Sequence, residues 1–214
     1  MKKVILFAAL FVLSTMAWAQ DKQSRSVEPF DYVSFGISGD LIIKQGNTFE
    51  VILEGDEEDL DKIETEVSSN KLRIRNKNNN WNWNWNSGKI KVTVTLKEFT
   101  GLDVSGSGDA ESVGVLKGED VRLSVSGSGD MDIRLNAKEV DMSISGSGSI
   151  SLSGNGTTSD LSISGSGKLD AEDFVVETVA VRISGSGSSR VHATKEIDSR
   201  ISGSASVRYA GDPD

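Results

Sequence analysis

Apolar and polar positions alternate with period two along most of the chain. Val121, Leu123 and Val125 are apolar, Gly127 and Gly129 keep their parity, and Met131, Ile133 and Leu135 continue it. The next stretch repeats the arrangement with Val140, Met142, Ile144, Gly146, Gly148, Ile150 and Leu152. Period two predicts β-strands with one buried face. The glycines then fall on the inward parity, where a narrow or bent core leaves no room for a Cβ. The serines fall outside, so that Ser124, Ser143 and Ser162 form a polar ladder with one rung per unit.

The alternation is nested in a longer repeat. Ser-Gly-Ser-Gly starts at Ser105, Ser126, Ser145, Ser164 and Ser184, and a degraded Ser-Gly-Ser-Ala starts at Ser202, at intervals of 18 to 21 residues. Polar stretches with turn chemistry, such as Lys117-Gly118-Glu119-Asp120 and Asn155-Gly156-Thr157-Thr158, separate the units. Each unit is two short strands, a glycine-bearing bend and a turn. One unit cannot bury its own apolar face, whereas units stacked ~4.8 Å apart can. The expected fold is therefore all-β, a parallel solenoid with coils of about 20 residues. An antiparallel sandwich of hairpins is the competing arrangement, because its turn spacing is similar. The constant unit length and register favour stacked coils.

The N-terminal half is less regular. Phe35, Ile37, Gly39, Leu41 and Ile43 alternate, as do Phe49, Val51 and Leu53, and Ser38-Gly39-Asp40 reads as a worn copy of the bend. Between Gly55 and Val67 the pattern breaks. Leu60, Ile63 and Val67 are spaced as one helical face after an acidic start, which predicts a short helix. Those carboxylates lack the spacing of a calcium loop and read as a solvated helix start.

Composition narrows the function classes. Of 214 residues, 23 are basic and 32 acidic, a formal charge of -9, which argues against nucleic acid as a partner. There is no Cys and one His, His192, so disulfides, thiolate chemistry and His-cluster metal sites cannot be built within one chain. Lys2 and Lys3, the apolar run Val4 to Leu13 and the site Ala17-Trp18-Ala19 predict a cleaved signal peptide over residues 1–19. A tail over 20–26 and a single domain over 27–210 follow, irregular to residue 100 and regular from 101. Loss of Lys2 and Lys3 would take the charge from -9 to -11.

The order of segments carries a resemblance. Phe30-Asp31-Tyr32-Val33 is followed by Ile37-Ser38-Gly39-Asp40-Leu41, Val51-Ile52-Leu53-Glu54-Gly55-Asp56, Leu72-Arg73-Ile74, Ile90-Lys91-Val92-Thr93-Val94 and Leu102-Asp103-Val104-Ser105-Gly106-Ser107-Gly108-Asp109. Over about residues 27 to 210 this resembles the GIN-domain family, described as the head domain of auto-transporter adhesins and common in secreted Bacteroidota proteins. The resemblance implies a right-handed parallel β-helix-like solenoid in a cell-envelope or extracellular setting. It brings no catalytic residues to carry over.

Asn78-Asn79-Asn80-Trp81-Asn82-Trp83-Asn84-Trp85-Asn86-Ser87-Gly88 is the least expected stretch. Alternation puts Trp81, Trp83 and Trp85 on one face and amides on the other. Aromatic faces beside hydrogen-bonding amides suit carbohydrate, whose C–H faces stack while its hydroxyls need partners. The same tryptophans could instead cover the end of the core. The serine ladder is a second candidate surface, although small polar residues are ordinary on an exposed sheet. Asp40, Asp109 and Asp130 follow equivalent bends, but Ser149, Lys168 and Ser188 interrupt the series. No metal or other cofactor is expected. His192 sits in a strand-like Val191-His192-Ala193, and the acids lie mainly in turns rather than as a paired-carboxylate constellation.

The sequence thus reads as a non-enzymatic, exported, adhesin-like binding module for a glycan or a surface protein. A structural envelope or stress-response protein and a polysaccharide-active β-helix enzyme are the competing readings. An open solenoid end must be capped or paired, so association with a second copy is also expected as an option.

Overall fold

The computed structural model describes residues 21–77 and 90–213. The signal peptide expected over residues 1–19, and Trp81, Trp83 and Trp85, lie outside the described residues. The first strands are β1 (Asp21–Arg25), β2 (Tyr32–Gly36), β3 (Asp40–Gln45) and β4 (Glu50–Gly55). After a one-turn helix α1 (Glu57–Leu60) come β5 (Ile63–Ser68), β6 (Lys71–Asn76), β7 (Lys91–Leu96), β8 (Gly101–Gly106), β9 (Asp109–Ser112) and β10 (Leu116–Lys117). The repeats supply β11 (Asp120–Gly127), β12 (Asp130–Asn136), β13 (Glu139–Gly146), β14 (Ser149–Asn155) and β15 (Thr158–Gly165). The chain closes with β16 (Lys168–Gly185), β17 (Ser188–Gly203) and β18 (Ser206–Ala210).

From Gly101 onward the protein is a β-solenoid of about six turns. The strand before each bend stacks on its equivalents, β8–β11–β13–β15, then the second half of β16 and of β17, all parallel. The strand after each bend does the same, β9–β12–β14, then the first halves of β16 and β17, then β18. In the strand before each bend register is kept from coil to coil: Leu123 pairs with Met142, Met142 with Leu161, and Leu161 with Val181. These side chains point into one continuous core with Val125, Ile144, Ile163 and Ile183, all fully or almost fully buried. The hairpin sandwich is thereby replaced by parallel stacking in the repeats. Parallel pairing follows from the constant repeat, since identical coils place like residues above one another and most inward positions meet an apolar neighbour.

The bends form a column of their own. Ser147 donates its amide hydrogen to the Gly127 carbonyl at 2.9 Å, Ser166 to Gly146 at 2.8 Å and Ser186 to Gly165 at 2.8 Å. The two glycines of each bend have different duties. Gly148 is inward and buried, and a Cβ there would strike the Gly129 carbonyl and a Val125 methyl. Gly146 is the corner itself, half exposed, with φ of +116°, a region that L side chains rarely adopt. The expectation that both glycines face inward holds for the second of each pair and not for the first.

The N-terminal part closes one end of the solenoid. β2 and β3 stack in parallel on β8 and β9, and β6 and β7 stack in parallel on the other side of β2 and β3. Antiparallel strands then end the stack: β5 on β6, β4 on β7, and β1 on β4. Residues 21–25, left outside the domain by the sequence reading, are thus part of its sheet. The helix predicted after Gly55 is only α1. Ile63 and Val67, assigned to its apolar face, lie in β5, where Ile63-Glu64-Thr65-Glu66-Val67 alternates and pairs residue by residue with β6. Tertiary pairing overrides a helical spacing that rested on few residues. Leu60, from α1, is fully buried and plugs the end of the core.

Candidate interaction surface

Parallel stacking turns single positions of the repeat into columns. Ser124, Ser143 and Ser162 pair in register, as do Ser105, Ser126, Ser145, Ser164, Ser184 and Ser202 along the edge of the bend. The first column is then interrupted by Arg182 and Arg200, which pair with Ser162 and with each other's position. Charged residues on the outward faces of both walls answer one another between coils. Arg122 reaches Asp141 and Arg182 reaches Asp160, both at 3.3 Å, and Arg190 reaches Asp170 at 2.8 Å. All are solvated pairs that tune the surface more than they hold the fold.

A second column opens the strand after each bend. It runs Lys91, Asp40, Asp109, then Asp130, Ser149, Lys168, Ser188 and Ser206. The series of aspartates seen in sequence is therefore a real stack, interrupted where Ser149 begins. The carboxylates are separated by backbone donors: Asp109 accepts from the Asp130 amide at 3.3 Å, and Asp130 accepts from the Ser149 amide at 3.0 Å and hydroxyl at 2.6 Å. With Glu111 and Asp132 alongside, the column lines an open acidic groove on the solenoid wall. Among the described residues no group of three or more His, Cys, Asp or Glu side chains is placed to hold a metal ion.

Tyr32, Asp103 and Lys71 make a third cluster, one that the sequence reading did not single out. The Tyr32 hydroxyl donates to Asp103 at 2.6 Å, while the Lys71 ammonium contacts Asp103 at 2.5 Å and lies 4.4 Å above the Tyr32 ring. Burial, and then the Asp103 carboxylate, hold the Tyr32 hydroxyl well above its ordinary pKa. An aromatic residue on the outward parity of β2 was the available signal. His192 faces the Glu172 carbonyl across 3.1 Å.

The Asn/Trp stretch lies in the chain between β6 and β7. Because those strands stack on β2 and β3, it takes the chain position that a Ser-Gly bend has in every regular coil. Lys91, just after it, begins the acidic column, and the Ile90 carbonyl accepts from the Asp40 amide at 2.8 Å.

Residues 29–213 match the family model described as "putative auto-transporter adhesin, head GIN domain". The chain belongs to the GIN-domain family. Solved structures of the same fold include one described as a putative adhesin from Bacteroides fragilis NCTC 9343, 19% identical, with a TM-score of 0.77 over 92% of this chain and 97% of that one. Another, described as a putative lipid binding protein from Parabacteroides distasonis ATCC 8503, is 24% identical, with a TM-score of 0.73 over 92% of each chain. A putative adhesin from Parabacteroides merdae ATCC 43184 is 21% identical, with a TM-score of 0.69 over 92% and 91%. At such identities these neighbours share the fold. No functionally curated protein matches the chain. Among the described residues no helix is long and apolar enough to cross a membrane.

Proposed function

We propose that this GIN-domain protein is an exported, non-enzymatic, adhesin-like module of the cell envelope, delivered through a cleaved signal peptide. It would recognise a glycan or a surface protein, with Trp81, Trp83 and Trp85 as the contact residues. The observation that carries the reading is the family match over 29–213, joined to a surface made of long open columns. A rigid stack of coils with an exposed wall suits attachment to extended partners more than turnover of small ones. The tryptophans would supply flat apolar faces for stacking, and the carboxylates of the acidic groove would accept hydrogen bonds from sugar hydroxyls. The lipid-binding description of one neighbour is not adopted, because inward side chains such as Leu123, Ile133 and Ile163 pack a filled core.

The test is binding of the exported chain to an array of glycans and envelope polysaccharides, beside a Trp81/Trp83/Trp85→Ala variant with an unchanged melting temperature. Binding by the parent alone supports the reading. Equal binding by both removes the tryptophans from it. Binding by neither, with no released sugar products, leaves the structural envelope role.

A further inference from the structure

The two ends of the solenoid are built differently. At the N-terminal end antiparallel strands and Leu60 close the core. At the other end, among the described residues, no strand pairs with the far edge of Glu196–Gly203 or of β18. The inward column there stops in the open: Val179, Val181 and Ile183 are buried, but one coil later Ile201 is 46% exposed, and Tyr209 across the core is 62% exposed. Such an edge is a template for another strand.

We propose that this edge pairs antiparallel with the same edge of a second copy, about a two-fold axis at Ser199. The backbone limits the choice of register. In the parallel ladder the Arg122 amide donates to Thr100, and the Thr178 amide to Thr157, each in the coil before. Carried through the register, the amides of Asp198 and Arg200 face β16, and those of Ile197, Ser199 and Ile201 face the free edge. Antiparallel hydrogen-bonded pairs must therefore join residues of that second set.

Three two-fold registers near the middle of the strand satisfy this. One puts Asp198 against its own copy, and another puts Arg200 against its own copy. Both set like charges directly opposite, which is destabilising. The third, centred on Ser199, places Asp198 opposite the partner's Arg200 and the partner's Asp198 opposite Arg200. On the core face the same register places Ile197 opposite the partner's Ile201, joining the two cores end to end. Ser199 meets its twin at the axis, a small residue where Leu123, Met142, Leu161 and Val181 stand in earlier coils. The interface is isologous and closes at two copies. Growth into a fibre would need the far end as acceptor, where β1 and β5 are short and carry Lys22, Arg25, Glu64 and Glu66. This pairing is independent of the ligand proposed above.

The test is the mass of the exported chain by light scattering and sedimentation over a wide concentration range. A doubled mass is expected. Asp198→Arg and Arg200→Asp each place like charges across the axis and are expected to return the monomer mass. The double exchange, Asp198→Arg with Arg200→Asp, restores opposite charges and is expected to restore the doubled mass. Both side chains are exposed, so circular dichroism of the variants, and their melting temperature at concentrations low enough to dissociate the parent, should match the parent. A parent that stays monomeric, a dimer untouched by either single change, a double exchange that stays monomeric, or concentration-dependent polymers would each overturn the proposal.

Discussion

Tyr32 and Asp103 stand 71 residues apart in sequence and share a 2.6 Å hydrogen bond on the outward face of the solenoid. Tyr32 also lies over Gly101, the residue it pairs with in β8, where a Cβ would run into the ring. Lys71 from β6 completes the contact, so one cluster fastens three adjacent strands where the irregular end meets the repeats.

Removing the phenol should loosen that junction. Tyr32→Phe is expected to lower stability by about 1–2 kcal/mol, at the low end of the roughly 1.5–3 kcal/mol typical of a hydrogen bond to a charged group because the site is only half buried. Thermal unfolding of the two proteins at neutral pH measures it. An unchanged melting temperature would mean that the cluster only decorates the surface.

The same hydroxyl predicts a response to alkali. Its pKa is raised in the folded protein, so the folded state holds the proton after the unfolded chain has lost it. The stabilisation is complete below the ordinary tyrosine value of about 10 and is lost as pH rises above it. Denaturant titrations from neutral pH to above that value should show a steeper loss in the parent than in Tyr32→Phe.

The bend column should tolerate change at serine and not at glycine. Gly148→Ala forces a methyl into the Gly129 carbonyl and the Val125 side chain, and Gly146→Ala asks alanine to hold a φ of +116°. Each is expected to cost roughly 2–4 kcal/mol, at the upper end of ordinary single substitutions. Ser145→Ala, on an exposed position just before them, should stay within about 0.5 kcal/mol. Equal effects at all three positions would show that the stacked bends are not closely packed.

Position along the solenoid should matter as much as residue type. Ile183 and Ile201 occupy the same column in adjacent coils, one buried and one half exposed. Ile183→Ala is expected to cost about 2–5 kcal/mol, as for other buried Ile truncations. Ile201→Ala should cost less than about 1 kcal/mol in the monomer. The comparison is a denaturant titration at low concentration, and equal costs would mean that the last coil is covered.

Cross-coil ion pairs should contribute little. Arg182 and Asp160 are 3.3 Å apart with both side chains about half exposed. A double-mutant cycle to Ala should give a coupling below about 1 kcal/mol that shrinks as salt rises. A larger, salt-insensitive coupling would show that the outward charges act as a locked network.

The repeats were legible because the same information is written at two scales. Period two tells which side chains face inward, and the constant spacing of Ser-Gly-Ser-Gly tells that inward positions lie above one another. Ser124, Ser143 and Ser162 fall in one column on the spacing of the residues alone. The family segments around Tyr32 and Leu102 pointed to the same solenoid. The candidate site was less legible. Trp81, Trp83 and Trp85 stood out by composition alone, and a pattern of one face aromatic and one face amide carries no long-range pairing.

The N-terminal end shows where one-dimensional reading stops. Leu60, Ile63 and Val67 fit a helical face, yet Ile63 and Val67 belong to a strand because β6 is there to receive them. Nothing near Asp21–Arg25 says that it will pair with Val51–Gly55, a partner brought alongside only after the chain has turned back. Likewise the paired duties of Gly146 and Gly148 appear only once a coil lies beneath them.

In the repeats, the strands, the apolar inward positions, the coil length and the likeness of one coil to the next were legible from the residues, because each is a local periodicity imposed on backbone geometry. Which end is closed, which is open and which charges meet emerge only in the folded chain. Those depend on contacts between residues far apart in the chain, where hydrogen-bonding edges must find partners and no local pattern names them.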